Sequence, residues 1–170
     1  MTIVRSSGAY TRDVPDPTIA AASQILDGSL TALRGTVEGL EPDALNWRPG
    51  SETNTVAVLV THTMSSTRWW LCLAMGKPLP ERDRASEFLA TTDNPQELLA
   101  WCDEMATQLR ALLDTEAPFD AAVIRERPTG SAGKPGPVTA SWALLFALGH
   151  LQEHVAHAQM TRQLWEQRPD

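Results

Sequence analysis

The sequence predicts an all-α fold, a four-helix bundle with a long crossover before the last helix. Three observations carry that expectation. Apolar residues recur with the helical period in four long stretches, proline and glycine punctuate the chain between them, and no strand-rich segment interrupts the pattern. At 170 residues the chain is long enough for one domain with a well-filled core. The expected organisation is therefore a single domain over residues 1–170, with 1–14 as a flexible arm and 118–138 as the crossover loop.

The first helix opens at Asp16-Pro17, an N-cap followed by proline at the first helical position, and runs to about Gly39. Ile19, Ala22, Ile25, Leu26, Leu30, Leu33, Val37 and Leu40 form its apolar pattern. Residues 41–45 read as one short turn and 46–50 as a loop. A second helix opens around Asn54-Thr55 and ends at Gly76, a C-cap with Pro78 just beyond. Residues 79–93 form a charged connector with one short turn. Asn94-Pro95 repeats the cap-and-proline start, and the third helix extends to about Thr115 with Leu98, Leu99, Cys102, Met105, Leu109, Leu112 and Leu113 on one stripe. Pro118 to Pro137 contains too much proline and glycine to be helical, with Val123-Ile124 as a short extended run. The fourth helix starts near Thr139 and continues to about Gln167, roughly 40 Å at 1.5 Å per residue.

Composition narrows the function. The net charge is −7 and no long basic cluster occurs, which argues against a nucleic-acid partner. The N-terminus lacks the apolar core of a signal peptide, and no run approaches 18 apolar residues, so a membrane partner is not expected and a cytoplasmic protein is. Cys72 and Cys102 stand apart in sequence, on apolar helix faces, and read as small buried hydrophobes. Trp69 and Trp70 read as packing residues, and Arg68 is assigned to solvent or a helix partner.

The chemistry concentrates near the C-terminus, in GHLQEHVAH, which holds three of the four histidines. On a helix His154 lies about 40° from His150, and His157 about 20° from it on the other side. All three share one stripe with Trp142 or Leu145 behind and Thr161 and Leu164 ahead, so they read as pointing into the core. Buried imidazoles need partners for both ring nitrogens. The i, i+4 pair His150/His154 has the spacing at which two ring nitrogens converge on one ion at about 2.0–2.1 Å, and His62, the remaining histidine, lies midway along the second helix. A hydrogen-bonded histidine stripe that binds nothing is the competing reading. His150 to His154 also matches the inverted zinc-protease motif H-x-x-E-H, but that chemistry needs a glutamate on a downstream helix, and only 16 residues follow His154. Glu153 then orients a ligand or faces the bundle edge.

Three segments in order resemble the DinB-like superfamily, which includes mycothiol-dependent maleylpyruvate isomerases and bacillithiol transferases. LRGTVEGLEPDALNWRP from Leu33 is similar to the end of the family's first helix and its following turn. TVAVLVTHTMSSTRWWL from Thr55 is similar to its second helix, and HLQEHVAHAQMTRQL from His150 to its last. The chain departs from the family pattern in having Ala156-His157-Ala158-Gln159 where Arg-Gly-Gln is common. The resemblance implies an up-down-down-up bundle with one metal ligand from the second helix and two from the fourth, His62, His150 and His154. It implies that His157 either supports a ligand or faces substrate, and the expected chemistry makes it the catalytic proton shuttle.

Three protein ligands leave a coordination position open, the catalytic pattern, and neutral imidazoles suit zinc or nickel, with iron a further candidate. A low-molecular-weight thiol at such a site loses its proton near neutral pH. The expected function is thus a metal-dependent thiol S-transferase or isomerase acting on a small-molecule substrate. The alternative is a stress-related binding or dimerisation module with a vestigial or absent metal, pairing as a homodimer through exposed helix faces. The 125–137 segment is the expected lid over the pocket or a plain surface loop.

Overall fold

The computed structural model describes residues 16–128 and 135–169. Residues 1–14, expected to be flexible, lie outside the described residues, as does part of the crossover. The described chain is mostly helical, in the order α1 (Pro17–Val37), α2 (Pro42–Asn46), α3 (Val56–Met75), α4 (Arg84–Glu87), α5 (Pro95–Leu113), β1 (Ile124–Arg127), β2 (Gly136–Thr139) and α6 (Ala140–Glu166).

Each long helix begins where a short polar side chain can take the orphan amides of its first turn. Asp16 accepts from the Thr18 and Ile19 amides, Thr55 from Val58, Asn94 from Gln96 and Glu97, and Thr139 from Trp142. Gly76 ends α3 in the left-handed conformation, at φ 64°. The left-handed backbone calls for glycine here, and a Cβ would also come within 2.8 Å of the Arg125 guanidinium, which would have to shift.

The four long helices share one apolar core. α1 contributes Ile19, Ala22, Leu26, Leu30, Leu33 and Val37, whereas Ile25, expected among them, is 40% exposed. α3 is buried on nearly every side because α5 covers one flank and α6 the other. α1 likewise packs on both α5 and α6. Arg34 reaches Asp103 at 3.0 Å and Arg110 reaches Asp27 at 2.7 Å, so α1 and α5 run antiparallel. His62 meets His154 while Trp70 meets Phe146, so α3 and α6 are antiparallel too. Arg162 of α6 donates to the carbonyls of Gly35, Thr36 and Glu38, at 2.9, 3.2 and 2.9 Å, and closes the C-terminus of α1. Cys72 and Cys102 are buried and free, as the apolar faces suggest, and desolvation pushes both thiols up, Cys102 to about 12.

The crossover adds one small antiparallel sheet to a fold that is otherwise all-α, as expected. β1 and β2 pair antiparallel, with Ile124 opposite Thr139 and Arg127 opposite Gly136. The strands have only four residues each, and the charged run Arg125-Glu126-Arg127 hides any alternation of apolar and polar positions. The ladder is continued by Ala140 N–H donating to Val123 and Ser141 N–H to Ala121, so the hairpin leads directly into α6. Arg125 donates to the Ala74 carbonyl at 3.3 Å. That anchors β1 at the far end of α3, about 18 Å along the helix from His62 at 1.5 Å per residue. The described part of the crossover is therefore not the cover of the histidines.

Candidate metal centre

α3 and α6 together build the site. His62 sits mid-helix on α3 and is 3% exposed, and His150 and His154 project half-buried from consecutive turns of α6. One ring nitrogen from each of the three lies within 4.8 Å of the other two. The stripe that carries the α6 pair is not the core stripe. Leu144, Leu148, Leu151, Val155 and Ala158 face the core, whereas Leu145 and Leu164, expected beside the histidines in the interior, are 67% and 48% exposed. The pair faces the crevice between α6 and α3 instead, in line with Trp142 and Phe146. Rings of Trp142 and Phe146 stack at 5.0 Å, and those of Phe146 and His150 at 5.6 Å. Trp70, fully buried, fills the foot of that column at 4.5 Å from Phe146, which settles it as a packing residue.

His157 is placed differently. It is exposed on the next turn of α6, with its ring 5.6 Å from that of His154, at the solvent edge of the cluster.

Glu87, Arg82 and Phe88 were not anticipated by the sequence reading. Glu87 ends the short helix α4, is 5% exposed, and its Oε2 lies 2.9 Å from His62 Nδ1. Arg82 grips the same carboxylate with two bonds, Nε to Oε1 at 2.6 Å and Nη2 to Oε2 at 2.7 Å. Burial by itself raises the Glu87 carboxyl, but the hydrogen bonds and charges of His62 and Arg82 more than offset it and hold the group below the usual glutamate range. An ionised Glu87 accepts the Nδ1 proton of His62, which fixes the tautomer with its Nε2 lone pair free. Glu153, which the sequence offered for such a role, is exposed on α6. The connector was legible only as a charged stretch, and a buried glutamate in it carries no periodic signal. Phe88 closes the same side, its ring 4.6 Å from that of His62.

The α6 pair is held neutral. Desolvation, then repulsion from neighbouring cationic positions, takes His150 and His154 down to about 4. Their Nε2 atoms face each other at 3.1 Å, close to the separation of about 3.3 Å that two ligands of one tetrahedral ion adopt. Only one of the two can place a proton between them, and both Nδ1 atoms are buried with no partner among the described residues. The hydrogen-bonding of this pair is thus incomplete without a further group. Three imidazoles, two of them held neutral and the third oriented by a buried carboxylate, are the donor set a divalent cation such as zinc, nickel or iron takes.

Fold and site together define a helical protein with a candidate three-histidine metal centre in the crevice between two antiparallel helices. Residues 25–158 match the model of the DinB superfamily, and the chain belongs to that family. A crystal structure of a conserved protein from Enterococcus faecalis is similar in fold, with a TM-score of 0.72 at 16% identity over 91% of this chain and 100% of that one. No curated protein matches the chain.

Proposed function

We propose that this protein is a metal-dependent thiol S-transferase or isomerase acting on a small-molecule substrate in the cytoplasm. The observation that carries the reading is the convergence of His62, His150 and His154 beside a buried, ionised Glu87. A divalent cation held by the three imidazoles would supply Lewis-acid chemistry that lowers the pKa of a thiol. The chain's own residues do the rest. Glu87 and Arg82 hold His62 in one tautomer. The column of Trp142 and Phe146 packs against His150, and Phe88 packs against His62. His157, at the solvent edge, is the proton carrier between the site and bulk water. No helix among the described residues is long and apolar enough to cross a membrane.

The scaffold reading is a single-domain bundle running up, down, down, up. It is supported by the antiparallel pairs α1/α5 and α3/α6, and by Arg162 bringing the C-terminal parts of α6 and α1 to the same end.

The test is metal content followed by thiol-dependent turnover. Protein purified without chelator is assayed for zinc, nickel and iron by mass spectrometry, in parallel with His62→Ala and His154→Ala. Near-stoichiometric metal lost in both variants supports the centre. Turnover of electrophiles with a low-molecular-weight thiol, reduced at least tenfold in His157→Asn with metal retained, supports the reaction. Absence of metal even after adding zinc or nickel refutes both.

A second reading, a binding or homodimerisation module, is favoured by the exposed Trp142, Leu145, Met160 and Leu164 on α6. It predicts that His62→Ala leaves every ligand response and the oligomeric state unchanged.

A further inference from the structure

A second cavity, of about 300 Å³, lies between α3, α5 and the connector, and the Arg82–Glu87 pair forms part of its wall. At about 100° per residue Thr61, Ser65 and Arg68 fall within about 60° of one another on α3, and His62 projects about 90° from the middle of that face. The cavity and the histidine crevice are therefore neighbours separated by the Arg82–Glu87 pair.

Thr61, Ser65 and Arg68, which α3 presents to this cavity, are half-buried. Thr63, on another face of the helix, turns its hydroxyl back to the Leu59 carbonyl, the common resort of a helical threonine. Among the described residues the hydroxyls of Thr61 and Ser65 have no hydrogen-bond partner, and the Arg68 guanidinium has neither a hydrogen bond nor a carboxylate within 4.0 Å. Of the other charged groups lining the cavity, only Glu87 and Arg82 pair with each other, while Glu81 and Asp83 have no cationic partner among the described residues. Glu87 is neutralised by Arg82, and the Asp83 carboxylate caps the amides of Ala85 and Ser86. Glu81 stays exposed at the rim. Trp101 of α5 supplies an indole to the lining.

We propose that this cavity binds a small organic monoanion, its carboxylate on Arg68 and the hydroxyls of Thr61 and Ser65, its flat or apolar body against Trp101. A guanidinium offers a carboxylate two parallel donors, which explains why the free cation here is an arginine beside two hydroxyls. The acidic rim favours one negative charge over two. A volume of about 300 Å³ lies at the small end of ligand sites and suits an aromatic or short aliphatic acid. The site does not depend on metal at the histidines, so its fate and that of the metal centre separate.

The test is a two-dimensional amide NMR titration of the full chain, stripped by chelator and dialysed, with benzoate and with its neutral counterpart benzamide. Benzoate is expected to shift the amides around residues 61–68 and the Trp101 indole, binding about tenfold more tightly than benzamide, the worth of one charge-assisted anchor. Arg68→Gln, with an otherwise unchanged spectrum, should erase the preference for acid over amide. If that variant does not fold, Ser65→Ala should weaken benzoate alone by a smaller factor. Shifts scattered over the surface, equal binding of acid and amide, or benzoate binding indifferent to both substitutions would overturn the proposal.

Discussion

The substitution Glu87→Gln keeps the size of a side chain that is 5% exposed and removes its charge, so it isolates what that charge does for His62. In the native site the carboxylate takes the Nδ1 proton at 2.9 Å and is held in place by two bonds from Arg82. An amide oxygen can still accept that proton, but a charge-assisted bond is about twice as strong as a neutral one. The amide also turns an NH2 group toward Arg82, whose side chain is 11% exposed and then has no counter-charge. Two separate losses follow. Loosening the partner of a ligating histidine costs about 10- to 100-fold in metal affinity, or about 1.4–2.7 kcal/mol. Breaking the ion pair costs the metal-free fold about 2 kcal/mol, below the 3–5 kcal/mol of a fully enclosed pair because water reaches Arg82. Zinc and nickel affinities measured by competition with a chromogenic chelator read the first, and thermal melts of the metal-free protein read the second. Arg82→Met should reproduce the stability loss with a smaller effect on affinity, since the carboxylate stays. A Glu87→Gln protein that melts lower yet binds metal within twofold of the parent would refute an orienting role and leave Glu87 as a structural anchor of the connector.

Gly76→Ala should destabilise the fold by about 1–2 kcal/mol, because it forces a side chain into φ 64° and pushes the Arg125 guanidinium off the end of α3, a loss readable as a lower Tm. Arg162→Met removes the donor that serves the Gly35, Thr36 and Glu38 carbonyls and should cost about 1–2 kcal/mol in denaturant unfolding, with metal content unchanged. The pH response follows from His150 and His154, whose folded values lie near 4 against 6.5 for a free histidine. Between those limits the unfolded chain takes up protons that the folded site refuses, so the metal-free protein is most stable above pH 6.5 and loses stability as pH falls toward 4. The slope is at most about 1.4 kcal/mol per pH unit for each histidine. Urea titrations from pH 7.5 to 4.5 should show that slope flattened in His154→Leu, and an unaltered slope would contradict a desolvated pair.

The helices were legible because their signals are local. Asp16-Pro17, Thr55, Asn94-Pro95, Thr139 and Gly76 mark helix ends by backbone chemistry that needs no knowledge of the fold, and each stands within two residues of an observed boundary. Of the hairpin only the short extended run at Val123-Ile124 was legible, because four-residue strands held by backbone pairing leave little trace in side-chain pattern. The site divides along the same line. His62, His150 and His154 drew attention as the rare residue type on helix faces, but which face of α6 they occupy depends on tertiary packing. Leu145 lies about 140° from His150 and never shared its stripe, whereas Leu164 does share it and is exposed all the same. Glu87 was invisible for the complementary reason, since its role comes from a connector folding back over α3, and connectors carry no period.

What brings His62 level with the α6 pair is the register of α3 against α6, and that register is held by the aromatic packing further along. Trp70 lies eight residues beyond His62 on α3, and Phe146 lies eight residues before His154 on the antiparallel α6. Equal spacing on two helices with the same rise sets both pairs about 12 Å apart, so seating Trp70 against Phe146 seats His62 against His154. The buried indole and the partly buried phenyl contribute a larger apolar contact than the imidazoles do. The crevice therefore depends on its aromatic foot for its geometry and on the connector for its electrostatics. Packing fixes where the three imidazoles meet, and the Arg82–Glu87 pair fixes which nitrogen of His62 is left to bind.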